Sequence, residues 1–469
     1  MSADITGLTL EAAAAAIKQR KLSSVEATKA CLEAISAAQP KLNCFISIEA
    51  EQALAQAARA DQEIGQGRYR GALHGVPMAH KDMYYRAGKI STCGSKIYAQ
   101  HPAQTTATVN EKLDAAGAIW LGGLNMSEFA AGPTGHNTHY GHCRNPWNPA
   151  HITGGSSSGS GCSVGARLVY GSMGSDTGGS VRLPAGMCGV AGLKPTYGLI
   201  SRYGMMPRCW SLDVAGPLAR TVRDCATITQ VVAGHDARDS SSANLPVPDY
   251  LAGLTGELKG LRIGIPVNAE FADTAPEVQR CLDESIKAFQ SLGAQIERVE
   301  LPDPRLLYHL TNLINKAEAA TIHGRWVKSR RGEYTLSAVN RFEAGYLIPV
   351  THYLDARRLQ GRILGEFVDR VFRSANVLHL PMLGIPVPTI AETEIRETSD
   401  VPALMEKITR HTRWLNYLGL PGLSVPCGFS GNGLPVAFQL LGRPFSEKTL
   451  FRAGDAYQRV TDWHERRPT

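Results

Sequence analysis

A run of serines bedded in glycine, Gly154-Gly155-Ser156-Ser157-Ser158-Gly159-Ser160-Gly161, is followed by Asp176-Thr177-Gly178-Gly179-Ser180-Val181-Arg182. Upstream, Lys81 ends a short apolar run, Gly75-Val76-Pro77-Met78-Ala79-His80. Serines held by glycine, with one lysine in apolar surroundings, suit an amide hydrolase that lacks a Ser-His-Asp triad. Glycine lets the backbone approach a substrate and aim its N–H groups at a developing oxyanion. A lysine kept neutral by burial serves as a general base.

Two plainer readings compete. Gly/Ser clusters are commonly flexible linkers. Here the flank Cys162-Ser163-Val164-Gly165-Ala166-Arg167-Leu168-Val169-Tyr170 is apolar and small, as in a buried helix, and a second Gly/Ser motif follows at once. A phosphate-cradling loop would end in Gly-Lys-Ser/Thr, and that ending is missing. A catalytic loop is the reading that survives.

At these positions the chain resembles the amidase signature family, over nearly its whole length. Asn125-Met126-Ser127-Glu128-Phe129, Arg144-Asn145-Pro146-Trp147 and Cys188-Gly189-Val190-Ala191-Gly192-Leu193-Lys194-Pro195-Thr196 belong to the pattern, as do Gly419-Leu420-Pro421-Gly422-Leu423-Ser424-Val425-Pro426 and Gly433-Leu434-Pro435-Val436-Ala437-Phe438-Gln439. The resemblance implies a Ser–cis-Ser–Lys triad: Ser180 as nucleophile, Ser156 as bridge after a cis Gly155–Ser156 bond, and Lys81 as base. The separations of 75 and 24 positions match family members. It further implies that Thr177, Gly178 and Gly179 donate N–H groups to the oxyanion, and that Ala130 and Ala131 leave room for the substrate. Asp176 and Arg182 read as a buried ion pair shaping the loop rather than as chemical participants.

The resemblance leaves the substrate open. A free-standing hydrolase of small or aryl amides, or of carbamate-like bonds, is the main expectation. The glutaminase subunit of a tRNA-dependent amidotransferase and a biuret- or allophanate-type hydrolase are the alternatives; a non-catalytic module fits poorly with a complete triad. The run Tyr197-Gly198-Leu199-Ile200-Ser201-Arg202-Tyr203-Gly204-Met205 is similar to that of the glutaminase subunits. Against them, Leu183 stands where they carry Gln. Alignment through Tyr353-Leu354-Asp355-Ala356 puts Gln360 in place of the arginine that holds the glutamine carboxylate, with Arg357, Arg358 and Arg362 close by. Thr409 falls in place of the acid that holds the α-amino group. An uncharged amide follows as the expected substrate.

These residues need a large body to position them. The 469 residues are 43% hydrophobic and 19% charged, with 47 glycines, as in a buried α/β core rich in tight turns. Helices are predicted over Leu10 to Arg20, from a Ser23–Glu26 capping box to Gln39 before Pro40, and near 51–64. Strand 75–80, helix 106–116 and strand 119–122 follow, then a β-α-β unit over 261–265, 276–292 and 295–301, and a buried strand at 378–383. The fold class expected is α/β: one domain over 1–469 with a mixed, mostly parallel twisted sheet covered by helices on both faces. Within it, 1–65 is an N-terminal helical region, 75–225 the catalytic core, and 326–414 a variable, aromatic substrate-specificity segment. The stretch 237–260, rich in Asp, Ser, Pro and Gly, is the best linker candidate.

The net charge of +7 is scattered; its densest cluster, Lys328-Ser329-Arg330-Arg331, lacks interleaved aromatics. Ten cysteines show no C-x-x-C pair, and His136, His139 and His142 lie in a loop sequence without a metal-ligand pattern. No segment reads as a signal peptide or membrane anchor. The expectations are therefore a cytoplasmic enzyme with no metal and no cofactor. Its partners would be a small-molecule amide, with no nucleic acid, no membrane, and a homodimer left open.

Overall fold

The computed structural model describes residues 4–268, 271, 273–394 and 401–468. Among these, the frame is one sheet of eleven strands: β1 Phe45–Ile48, β2 Pro77–Lys81, β3 Ile119–Leu124, β4 Gly171–Asp176, β5 Ala191–Lys194, β6 Val214–Ala219, β7 Arg262–Pro266, β8 Gln295–Val299, β9 Val377–Pro381, β10 Gly422–Phe429 and β11 Pro435–Gly442. Their spatial order is β1-β3-β2-β4-β6-β5-β10-β11-β9-β7-β8. Every residue of β2, β3, β4, β5, β6, β9 and β11 is buried, which requires cover on both faces of the sheet. The edge strands β1 and β8 are the ones that reach solvent.

The α/β class and the mixed sheet are as expected. Parallel pairing is less dominant than expected: β2 with β3 and β4, and β7 with β8 and β9, are parallel, and the six other pairings are antiparallel. The reason lies in the connections. Parallel neighbours need a long crossover, which the helices at 108–115 and 276–291 supply at either end of the sheet. In the middle, β10 and β11 are joined by a tight turn through Gly431 and Gly433 and can only run antiparallel.

Local signals set most element ends. Thr9 caps the helix Leu10–Lys18, and the Ser23–Glu26 capping box opens Ser24–Leu42. Pro40 does not end that helix. It sits in the last turn, and Asn43, in the left-handed region at φ 49°, closes it. The stretch 237–260 is no loose linker: Tyr250, Leu254 and Leu258 are buried, and Asp239 accepts from the backbone of Arg202. All ten cysteines are free and buried. Among the described residues, no helix is long and apolar enough to cross a membrane.

Candidate active site

Lys81 is the last residue of β2, in the parallel heart of the sheet between β3 and β4. It is 1% exposed, and its Nζ lies 2.7 Å from Ser156 Oγ and 2.8 Å from Ser175 Oγ. Burial lowers its pKa to about 7, against the opposing pull of Asp213 and Asp176. Ser156 follows a cis Gly155–Ser156 bond and precedes the wholly buried helix Ser158–Gly165. That helix needs small residues: a Cβ on Gly159 would come 2.4 Å from the Cys44 carbonyl oxygen. Its serines are tied to the frame. Ser157 Oγ accepts from Ser175 N and donates to Ser175 O, and Ser158 Oγ donates to Asn125 O.

Ser180 lies in the turn between β4 and the helix Arg182–Met187, and its carbonyl accepts from Ser157 N at 3.3 Å. Asp176 and Arg182 hold this turn. Both side chains are fully buried, and Arg182 meets the carboxylate in two bonds of 3.1 Å. Although burial acts to raise it, the guanidinium keeps the Asp176 carboxyl well below its ordinary range. Arg182 is also bound by Gln439 Oε1, Thr412 O and Asn416 Oδ1, so the pair is saturated. Asp176 also accepts from Gly179 N at 2.8 Å and Val181 N at 3.1 Å. The Gly179 N–H, one of the expected oxyanion donors, is therefore already taken. The N–H groups of Gly178 and Ser180 have no acceptor among the described residues. At φ 123° and with Thr412 Oγ1 2.4 Å from any added Cβ, position 179 admits only glycine.

Ser180, Thr177, Gly178, Ala130, Ala131 and Leu183 line one narrow cavity of ≈ 40 Å³. The Ala130 and Ala131 N–H groups donate to Ser127 and Glu128 carbonyls, so these alanines form wall and not donors. Phe129 and Ala130 hold left-handed φ values of 46° and 57° to make that wall. Thr409, which the alignment placed beside the substrate, does line this cavity; the polar residues around it were missed. Arg208, Asn315, Arg341 and Arg413 line it together with Thr409.

Gln360 does not. Its Nε2 donates to the Tyr417 carbonyl, and it lines a different depression with Tyr197 and Phe445. Arg358 and Arg362 pair with Asp355 and Glu366 on the exposed side of the helix Val350–Val371. Gln360 therefore does not stand where a carboxylate anchor was expected, and the cavity beside Ser180 is lined by other arginines. That long helix carries the conspicuous arginines of the sequence, whereas Arg341, which reaches the cavity, stands on the preceding helix Leu336–Glu343. Glu128 secures that helix, accepting from Thr335 N at 2.7 Å while Thr335 caps it.

Of the histidines, His139 faces Glu128 at 3.1 Å, and His136 packs at a tilt against His142, ring centres 4.5 Å apart, and meets Thr393 Oγ1 at 2.8 Å. His136 and His142 line a wider cavity that shares Arg341 with the first. Among the described residues no three His, Cys, Asp or Glu side chains converge as metal ligands would. In the aromatic segment, Trp414, Tyr334 and Phe342 are core, and Tyr346 is half exposed. Part of that segment, 395–400, lies outside the described residues.

The family model described as Amidase matches residues 26–451. The chain belongs to the amidase family. Other members are similar over almost all of it. The chain is 39% identical to the A-subunit of glutamyl-tRNA(Gln) amidotransferase from Geobacter metallireducens, over 96% of each chain. It is 40% identical to the same A-subunit from Chloroflexus aggregans, over 98% of each. A solved structure described as "An unexpected vestigial protein complex reveals the evolutionary origins of an s-triazine catabolic enzyme" superposes with a TM-score of 0.90 at 33% identity, covering 97% of this amidase and 98% of that chain. These relatives correct the expected partners. Proteins this similar are by name one component of an enzyme acting with a tRNA, so partners limited to a small amide, without nucleic acid, do not stand. Scattered charge misled here because composition reports only on a chain's own surface, and one component of a complex can meet an RNA through its neighbours.

Proposed function

We propose that this amidase-family chain is the amide-cleaving, A-type component of a multi-subunit, cytoplasmic enzyme of the tRNA-dependent amidotransferase kind. It would release ammonia from a primary amide through a serine acyl-enzyme. The observation that carries the reading is the 39–40% identity to such subunits over 96–98% of the chain.

The Lys81–Ser156 contact and the free Gly178 and Ser180 N–H groups support these roles, and the family resemblance supplies the Ser180-to-Ser156 step. Neutral Lys81 accepts a proton from Ser156 as Ser156 accepts one from Ser180, whose oxygen attacks the amide carbon. The oxyanion faces the free N–H groups of Gly178 and Ser180. Return of the proton along the same path protonates the leaving nitrogen, and ammonia departs. Water then attacks the acyl-enzyme, its proton passing through Ser156 to Lys81, and return of that proton to Ser180 Oγ releases the acid. Lys81 at about 7 and within 2.7 Å of Ser156 meets the two requirements for a base, access and basicity near neutral pH.

The test is to purify the chain with candidate partner subunits from the same genome and to follow ammonia release from an amide donor and amidation of a charged tRNA. Ammonia release that stops with Ser180→Ala and tRNA amidation that needs the chain support the reading. A wild-type complex that leaves the tRNA unmodified while hydrolysing amides at full rate refutes the amidotransferase assignment.

A further inference from the structure

The cavity beside Ser180 is unusual in its charge. Arg208 comes from the segment between β5 and β6, Arg341 from helix 336–343, and Arg413 from the turn before helix 414–418. Three separate stretches thus bring three guanidinium groups to one small site. Among the described residues, no carboxylate forms an ion pair with any of them. The nearest acids are engaged elsewhere. Asp213 accepts from Thr177 Oγ1 and from the backbone of Arg208 and Cys209, and Asp176 holds Arg182.

Neutral groups position the cations instead. Arg413 Nη1 donates to Asn312 Oδ1 at 2.6 Å, its guanidinium lies over the Tyr308 ring, and its stem packs against Gly178, 3.3 Å from where a Cβ would be. Arg208 lies over the ring of Phe342. Arg208 is 6% exposed, and its Nη1, buried, has no hydrogen-bond partner. A buried guanidinium nitrogen without a partner is costly, and binding an anion is the simplest account of why it is kept. Burial, and then repulsion from Arg413 and Arg208, bring Arg341 down to about 10, as expected where cations crowd without a counter-charge. On the same wall, Thr409 donates its hydroxyl to Met405 O and offers no negative charge to an ammonium group.

We infer that Arg208, Arg341 and Arg413 form an anion subsite that selects, as amide donor, the monoamide of a dicarboxylic acid carrying no ammonium group. This deepens the reading above and rests on it. The carboxylate would sit among the guanidiniums and the amide over Ser180. Glutamine fits the first requirement, but its α-ammonium would face three cations and no acid.

The test compares glutaric acid monoamide, glutamine and butyramide as donors for the full chain with its partner subunits. Glutaric acid monoamide should exceed both others by roughly 10- to 100-fold in kcat/KM, the range of one charge-assisted contact. Arg208→Gln and, separately, Arg413→Gln should shrink the advantage over butyramide by roughly tenfold or more. Glutarate should raise the melting temperature of the Ser180→Ala protein, and butyramide should not. Glutamine as the preferred donor by tenfold, equal rates for all three, or no stabilisation by glutarate would overturn the subsite. The glutarate measurement needs no turnover. A loss of all amide cleavage with glutarate binding intact would therefore refute the proposed function and leave the subsite standing.

Discussion

The pH profile of amide cleavage is the sharpest check on the relay. Lys81 is buried and brought from 10.5 to about 7, which corresponds to roughly 5 kcal/mol against its charged form. Only the neutral amine can take a proton, so kcat/KM should follow the neutral fraction. That fraction is about one-tenth at pH 6 and about nine-tenths at pH 8, a rise of roughly tenfold. Two other buried groups titrate in the same window. Burial raises Asp82 to about 7, and burial together with Arg182 lowers Lys194 to about 7. Asp82 bonds Thr92, and Lys194 donates to the Pro195 and Leu420 carbonyls, so neither touches the relay. The assay is ammonia release from pH 5.5 to 9 under single-turnover conditions, for wild type, Asp82→Asn and Lys194→Met. All three should rise with the same midpoint. A flat wild-type profile, or a midpoint that vanishes with Asp82→Asn or Lys194→Met while the protein stays folded, refutes Lys81 as the titrating base.

Other outcomes are equally direct. Ser180→Ala should lose turnover with an unchanged melting temperature, and residual acyl-enzyme by mass spectrometry would contradict that. Ser175→Ala removes an acceptor that favours charged Lys81, so the activity midpoint should fall by about one pH unit. Asp176→Asn leaves the Arg182 charge buried and unpaired and should cost about 3–5 kcal/mol in denaturant unfolding, far more than a surface Asp→Asn. Gly179→Ala should lower kcat by at least tenfold, because its Cβ would strike Thr412 Oγ1 and displace the turn that carries Ser180.

The chain carried its chemistry openly where the chemistry is local. Lys81, Ser156, Ser180 and the Asp176–Arg182 pair lie in short, dense motifs whose glycines and serines admit few other readings, and the structure brings Lys81 within reach of Ser156. The capping box at Ser23 and the β-α-β unit from Arg262 to Val299 were legible for the same reason: each is specified by neighbours in sequence. What escaped is what depends on distant segments meeting. Arg208, Arg341 and Arg413 are surface-like arginines in sequence, and only the fold gathers them. Ser175 was hidden as an ordinary strand residue, although its place one residue before Asp176 on β4 turns it toward Lys81. The oxyanion donors were over-counted at Gly179, since a sequence does not reveal that Asp176 curls back to take that N–H. The expectation about partners failed against the relatives because a chain's composition is silent about what it assembles with.

The burial of all ten thiols has a practical use. Burial holds Cys31 at about 12, and others are pushed up as well, so little thiolate forms at neutral pH. The wild-type chain is therefore a silent background for maleimide chemistry. A single cysteine placed at an exposed position such as Leu347, Val350 or Leu354 would be the one reactive sulfur on the surface. Dyes and cross-linkers attached there could map where partner subunits dock, residue by residue, without first removing a native cysteine.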